Sequence, residues 1–144
     1  MISRHMLKIL VAEDDPGIQT LLRTILTREG FAVDCVADGT EALQRLGATR
    51  YDVILLDLMM PSLSGADLIA RLADANDDAL SRVIVITAAA LHDARSFHRL
   101  PVLRKPFDLD ELRSRVHAVA QGHGPAAAFQ FSGASPIVNP SRVA

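Results

Sequence analysis

Tryptophan is absent from this chain, tyrosine and cysteine occur once each, and lysine occurs only twice, at Lys8 and Lys105. The single Cys35 excludes an internal disulfide and suits a reducing compartment. No apolar run approaches the roughly 20 residues that a membrane span needs. Residues 1–8 lack the apolar stretch of a secretory signal. The net charge is -2, with no basic stripe or cluster, which argues against nucleic acid and membrane surface as partners. These absences lead to the expectation of a cytoplasmic protein. At 144 residues the chain is the size of one domain, with enough core to fold without staples. Where nearly every basic residue is arginine, an isolated lysine suggests that a compact ammonium is needed there.

What is present is an alternation of strands and helices. Val53 to Leu56 is apolar throughout, the pattern of a strand buried on both faces, and it ends on Asp57. Pro61 follows and forces the strand to stop. Lys8 to Ala12 reads as a first strand, closed by Glu13-Asp14-Asp15. Pro16 suits the first turn of a helix, which Ile18, Leu21, Leu22, Ile25 and Leu26 continue at helical spacing and Gly30 ends. Phe31 to Val36 is a second strand, and Asp38 caps a helix that Gly47 closes. A helix from Ser64 to Ala73 follows the third strand. Val83 to Ile86 is a fourth strand ending on Thr87, and Val102-Leu103 a short fifth one ending at Arg104-Lys105-Pro106. Asp108 caps a last helix carrying Leu109, Leu112, Val116 and Val119. The alternation predicts an α/β fold, a doubly wound five-stranded parallel sheet with helices on both faces. From Gly122 onward the composition turns to Gly, Pro, Ser and Ala, so 122–144 is expected to be a flexible tail. Phe129, Phe131, Ile137 and Val138 are apolar enough within it to dock on a groove or a partner.

In a parallel sheet the carboxyl ends of the strands share one rim, where open α/β folds place their chemistry. This rim receives Glu13-Asp14-Asp15, Asp57, Thr87 and Lys105. Several carboxylates on one rim repel one another unless a cation intervenes. Oxygen ligands suit a hard cation such as Mg²⁺. A carboxylate beside that ion can attack a phosphoryl group and form an aspartyl phosphate. An ammonium and a hydroxyl would steady the phosphoryl oxygens, and Lys105 and Thr87 are of those types. Taken singly, each residue has a plainer reading: Asp14 or Asp15 as helix cap, Thr87 as strand former, Lys105 as solvated surface. Taken together, on the ends of four strands, chance is a poor account.

The chain resembles the receiver domain of bacterial two-component response regulators. The resemblance rests on Leu10-Val11-Ala12-Glu13-Asp14-Asp15-Pro16, Asp57-Leu58-Met59-Met60-Pro61 with Gly65, Ile86-Thr87-Ala88 and Lys105-Pro106-Phe107. It implies a flavodoxin-like (βα)5 fold over residues 7–121, after an extension at 1–6. It implies Asp57 as phosphoacceptor, with Thr87 moving to bind the phosphoryl group and Lys105 pairing with it. It implies a Mg²⁺ site of Glu13, Asp14, Asp57 and the Met59 backbone carbonyl, with Asp14 as direct ligand and Glu13 acting through water. The Lys105-Pro106 peptide is expected to be cis, and Asp15 to be a cap. The implied donor is a sensor histidine kinase or a histidine phosphotransfer protein. The output is protein binding to a target the sequence does not name, by a switch rather than an enzyme.

Two departures from the family pattern stand out. Val102 occupies the position where receivers often carry Tyr or Phe, so relay through the Thr87 loop without an aromatic swing is expected. Lys105 follows Thr87 by only 18 residues, and Leu100-Pro101 replaces the usual Gly-Ala. The deficit predicts a shortened or irregular fourth helix. Met59 and Ala89, two residues past Asp57 and Thr87, offer no acid or amide to position a water, which predicts a long-lived phosphoryl state. The short segment after the last helix suggests a stand-alone regulator, or alternatively an intermediate carrier in a phosphorelay. A Mg²⁺-dependent phosphatase of the haloacid dehalogenase type is disfavoured, because its second aspartate is replaced by Met59. A flavin carrier is disfavoured by three acids where its phosphate loop would lie.

Overall fold

A computed structural model describes residues 6–88 and 100–122 of the chain. The shortened or irregular helix expected between the fourth and fifth strands, with Ala89, falls outside them. So do residues 1–5 and the segment from residue 123 onward.

Five parallel strands are laid out as β1 (Lys8–Ala12), β2 (Ala32–Val36), β3 (Val53–Asp57), β4 (Val83–Thr87) and β5 (Val102–Arg104). Their order in the sheet is β2-β1-β3-β4-β5. The described helices are α1 (Pro16–Arg28), α2 (Gly39–Ala48), α3 (Gly65–Asp74) and α4 (Leu109–Ala120). Strand residues alternate between two cores, as the period of two requires. Leu10, Ala12, Ile54, Leu56, Val83 and Val85 pack with α2 and α3. Ile9, Val11, Val53, Leu55, Ile84, Ile86 and Leu103 pack with α1 and α4. This is the doubly wound sheet the alternation predicts.

Helix starts follow the expected caps. Asp15 accepts from the amides of Gly17 and Ile18, Asp38 from Glu41, Ser64 from Asp67 and Asp108 from Asp110. The end of α1 is a Schellman turn: Gly30, at φ 98°, donates to the Thr27 carbonyl, and Phe31 donates to that of Leu26. The end of α3 repeats this geometry with Asn76 in the left-handed position.

Several details differ from the sequence reading. Gly47 does not close α2: the helix runs through Ala48, and the Thr49 amide bonds the Arg45 carbonyl. Gly47 is therefore an exposed helical glycine, and a Cβ there meets nothing within 4 Å. Gly47→Ala is expected to raise stability by about 0.5–1 kcal/mol through backbone entropy and helix propensity, read as a higher urea midpoint. Leu21 is 43% exposed rather than core. At about 100° per residue, it sits at the margin of a stripe centred on Leu22, Ile25 and Leu26. Leu109, in the first turn of α4, is likewise 37% exposed. A 3-10 helix at Asp78–Arg82, capped by Asp77, precedes β4 where the sequence carries no periodic signal. Its Arg82 donates from Nε to the Tyr51 carbonyl, tying it to the approach to β3.

Candidate functional site

The site begins as an extension of one core. Glu13, Asp57 and Lys105 fall on the strand parity of Ile9, Leu55 and Leu103, so the stripe that packs α1 and α4 turns to charge at the strand ends. The register brings these ends together: Asp57 pairs with Ile86, and Thr87 pairs with Arg104, just before Lys105. The Lys105 amide donates to the Thr87 carbonyl at 2.8 Å. The Lys105-Pro106 peptide is cis, as the resemblance implies.

Three polar side chains among the described residues are buried, and all belong to this rim: Glu13, Asp57 and Thr87. Lys105 Nζ lies 2.7 Å from Glu13 Oε1 and 3.1 Å from Asp57 Oδ2. Asp57 Oδ1 accepts from the Met59 amide at 3.1 Å, and Glu13 Oε2 from the Asp15 amide at 2.9 Å. Burial pushes the Glu13 carboxyl above its ordinary range, against the pull of Lys105 and the Asp15 amide. Burial draws Lys105 down, but Glu13 and then Asp57 outweigh it and hold the ammonium above its usual value. The lysine is thus a fixed cation between two carboxylates.

One cation is too few for this rim. Oxygen atoms of Glu13, Asp14 and Asp57 lie within 4.8 Å of one another. Among the described residues, the buried Glu13 Oε1 has Lys105 Nζ, at 2.7 Å, as its one close cation, and Lys105 also serves Asp57. Asp14 is exposed and open to a ligand. An oxygen-only donor set of three carboxylates sharing one ammonium fits a hard divalent cation. Asp15 stands apart from it as the cap of α1.

One support, Gln19, escapes the sequence reading, and a second, Gly65, is named there without its packing role. Gln19, on α1, donates from Nε2 to the carbonyls of Glu13 (2.8 Å) and Val36 (3.1 Å), pinning the acidic turn to the end of β2. Gly65 donates to the Leu58 carbonyl, and a Cβ there would stand 2.2 Å from the Asp57 carbonyl oxygen. Only glycine allows α3 to begin this close to the end of β3. Val102 is half-buried and packs against the core of α2 and α3, as does Leu100.

Residues 9–117 match the response regulator receiver domain model, and the chain belongs to that family. It is 36% identical over 138 residues to the response regulator MprA of Mycolicibacterium vanbaalenii, covering 87% of this chain and 58% of that protein. It is 36% identical over 122 residues to the transcriptional regulatory protein TcrA of Mycobacterium tuberculosis, covering 79% and 46%. The chain thus spans about half the length of these curated relatives. Among solved structures it is similar to the Thermotoga maritima response regulator TrrA in complex with Mg²⁺ and BeF, with a TM-score of 0.71 and 32% identity over 79% of this chain and 99% of that one. The structure and the relatives together make this a receiver domain, a phosphoacceptor unit of two-component signalling. No helix among the described residues is long and apolar enough to cross a membrane.

Proposed function

We propose that Asp57 accepts a phosphoryl group from a phosphohistidine of a sensor kinase or histidine phosphotransfer protein. A carboxylate oxygen of Asp57 forms the new bond to phosphorus. The phosphorus–nitrogen bond breaks and its electron pair returns to the imidazole. Lys105 neutralises charge on the phosphoryl oxygens, and the Thr87 hydroxyl hydrogen-bonds one of them. Glu13, Asp14, Asp57 and the Met59 carbonyl would hold Mg²⁺, which supplies further charge neutralisation at those oxygens. The phosphorylated surface then binds a protein target. The reading is of a switch, with Met59 in place of the general acid a phosphatase would need. The half-buried thiol of Cys35 suits the reducing cytoplasm.

The observation that carries this reading is Asp57 itself: 3% exposed, paired with Lys105 at 3.1 Å, and grouped with Glu13 and Asp14. Acetyl phosphate with Mg²⁺ is expected to leave one covalent phosphoryl group per chain, seen by intact mass. Continuous phosphate release without a stoichiometric adduct would favour an enzyme instead.

The metal part is tested separately. Any ligand that binds only the folded state raises the unfolding midpoint. Millimolar Mg²⁺ is expected to raise it for the wild type, and Asp14→Asn to remove most of that rise without lowering the midpoint in chelator. An undiminished rise in the variant would exclude Asp14 as a ligand.

A further inference from the structure

The loop that joins Asp57 to α3 is held from a direction the acceptor chemistry does not use. Gly39, the first residue of α2, donates to the Pro61 carbonyl at 3.4 Å. A Cβ at Gly39 would stand 1.7 Å from the Leu63 carbonyl oxygen, 2.5 Å from its carbon and 2.8 Å from the Leu63 Cβ. Two of those three atoms are backbone, so no rotamer relieves the clash. Between the contacts lies Ser62 at φ 66°, a conformation costly for a residue with a Cβ unless its surroundings impose it. The far end of the loop is closed by the Gly65 amide on the Leu58 carbonyl, and the near end by the Met59 amide on Asp57 Oδ1. The short loop is therefore wedged between two glycines on different helices. One of them comes from a part of the chain that contributes no group to the site.

We infer that Gly39 is a positioning residue for phosphoryl acceptance: its bare Cα is the seat that forces the loop into the shape presenting Met59 to Asp57. The inference rests on the proposed role of Asp57. Any side chain at 39 lifts Leu63 and Pro61, and the displacement passes along the loop to Met59. Gly47, on the same helix with open space around it, is the internal control.

The experiment uses the whole chain. Wild type and Asp57→Ala with acetyl phosphate establish whether Asp57 accepts at all; failure there removes the functional reading, and the seat itself is then judged by NMR alone. The positional claim is read by NMR in metal-free protein. Gly39→Ala is expected to shift the Met59 and Gly65 amide resonances, while Gly47→Ala leaves them in place. Phosphoryl incorporation at saturating donor and Mg²⁺ is expected to fall about tenfold or more in Gly39→Ala, because small misplacements of reacting groups are felt on that scale. A folded Gly39→Ala with unshifted Met59 and wild-type incorporation would overturn the inference. Should Gly39→Ala not fold, hydrogen exchange in the wild type decides: the amides of Gly39, Met59 and Gly65 are expected to exchange through one shared opening. Met59 exchanging about tenfold or more faster than Gly39 would mean that the loop opens without leaving its seat.

Discussion

Asp57→Asn is expected to lower phosphoryl incorporation from acetyl phosphate by about a thousandfold or more, the scale on which loss of a nucleophile is felt. The substitution is nearly isosteric, and its amide oxygen can keep the bond from Met59 N–H that Asp57 Oδ1 accepts. What it lacks is an anionic oxygen to attack phosphorus. A collapse of the fold is not the expected cause. Glu13 and Asp57 share a single ammonium, so removing one charge relieves like-charge repulsion on a buried rim. The metal-free unfolding midpoint of Asp57→Asn is therefore expected to equal or exceed that of the wild type. Intact mass and thermal melting in chelator test both halves. An adduct at wild-type yield would move the acceptor to another residue.

Lys105→Met has the second largest expected effect, and its sign on stability is the opposite. Without the ammonium, Glu13 and Asp57 face each other with no cation between them. Breaking a buried ion pair by removing one partner costs about 3–5 kcal/mol, and the partial exposure of Lys105 points to the lower end. Mg²⁺ is expected to restore part of the loss, because the three carboxylates remain to bind it. Incorporation is expected to drop by about 10²–10³, the effect of removing one preorganised group that meets developing charge. Urea unfolding in chelator and again in Mg²⁺ reads the stability terms. Equal stability of variant and wild type in chelator would mean that the ion pairs contribute nothing to the fold.

Most of the candidate site is legible in the amino-acid sequence, for a physical reason. Buried parallel strands are apolar along their length, so a polar or charged residue at their carboxyl end is conspicuous. Asp57 after Val53–Leu56 and Thr87 after Val83–Ile86 are of this kind. Helix caps are legible because Asp15, Asp38, Ser64 and Asp108 each act within three residues of themselves. The supports are not legible. Gln19 bonds a carbonyl 17 residues away, and Gly39 matters only because Leu63 arrives beside it. Neither contact leaves a period or a motif behind. Gly47 misleads for a related reason: glycine marks a helix end only in the left-handed conformation, and nothing local distinguishes it from Gly30, which adopts that conformation.

The two-sided burial of β3 carries a cost in folding specificity. A strand with one polar face announces its register, since a slip by one residue turns its apolar side chains to water. Val53, Ile54, Leu55 and Leu56 are apolar on both sides, and a slip would exchange one set of aliphatic groups for another. Discrimination falls to the two ends. Asp52 donates its amide to the Lys8 carbonyl and its carboxylate accepts from the Lys8 amide, which sets the start. Asp57 sets the finish, because a shifted strand would draw its carboxylate away from Lys105 and into hydrocarbon. The residue proposed to accept the phosphoryl group thereby also serves as the index mark by which the central strand finds its place during folding.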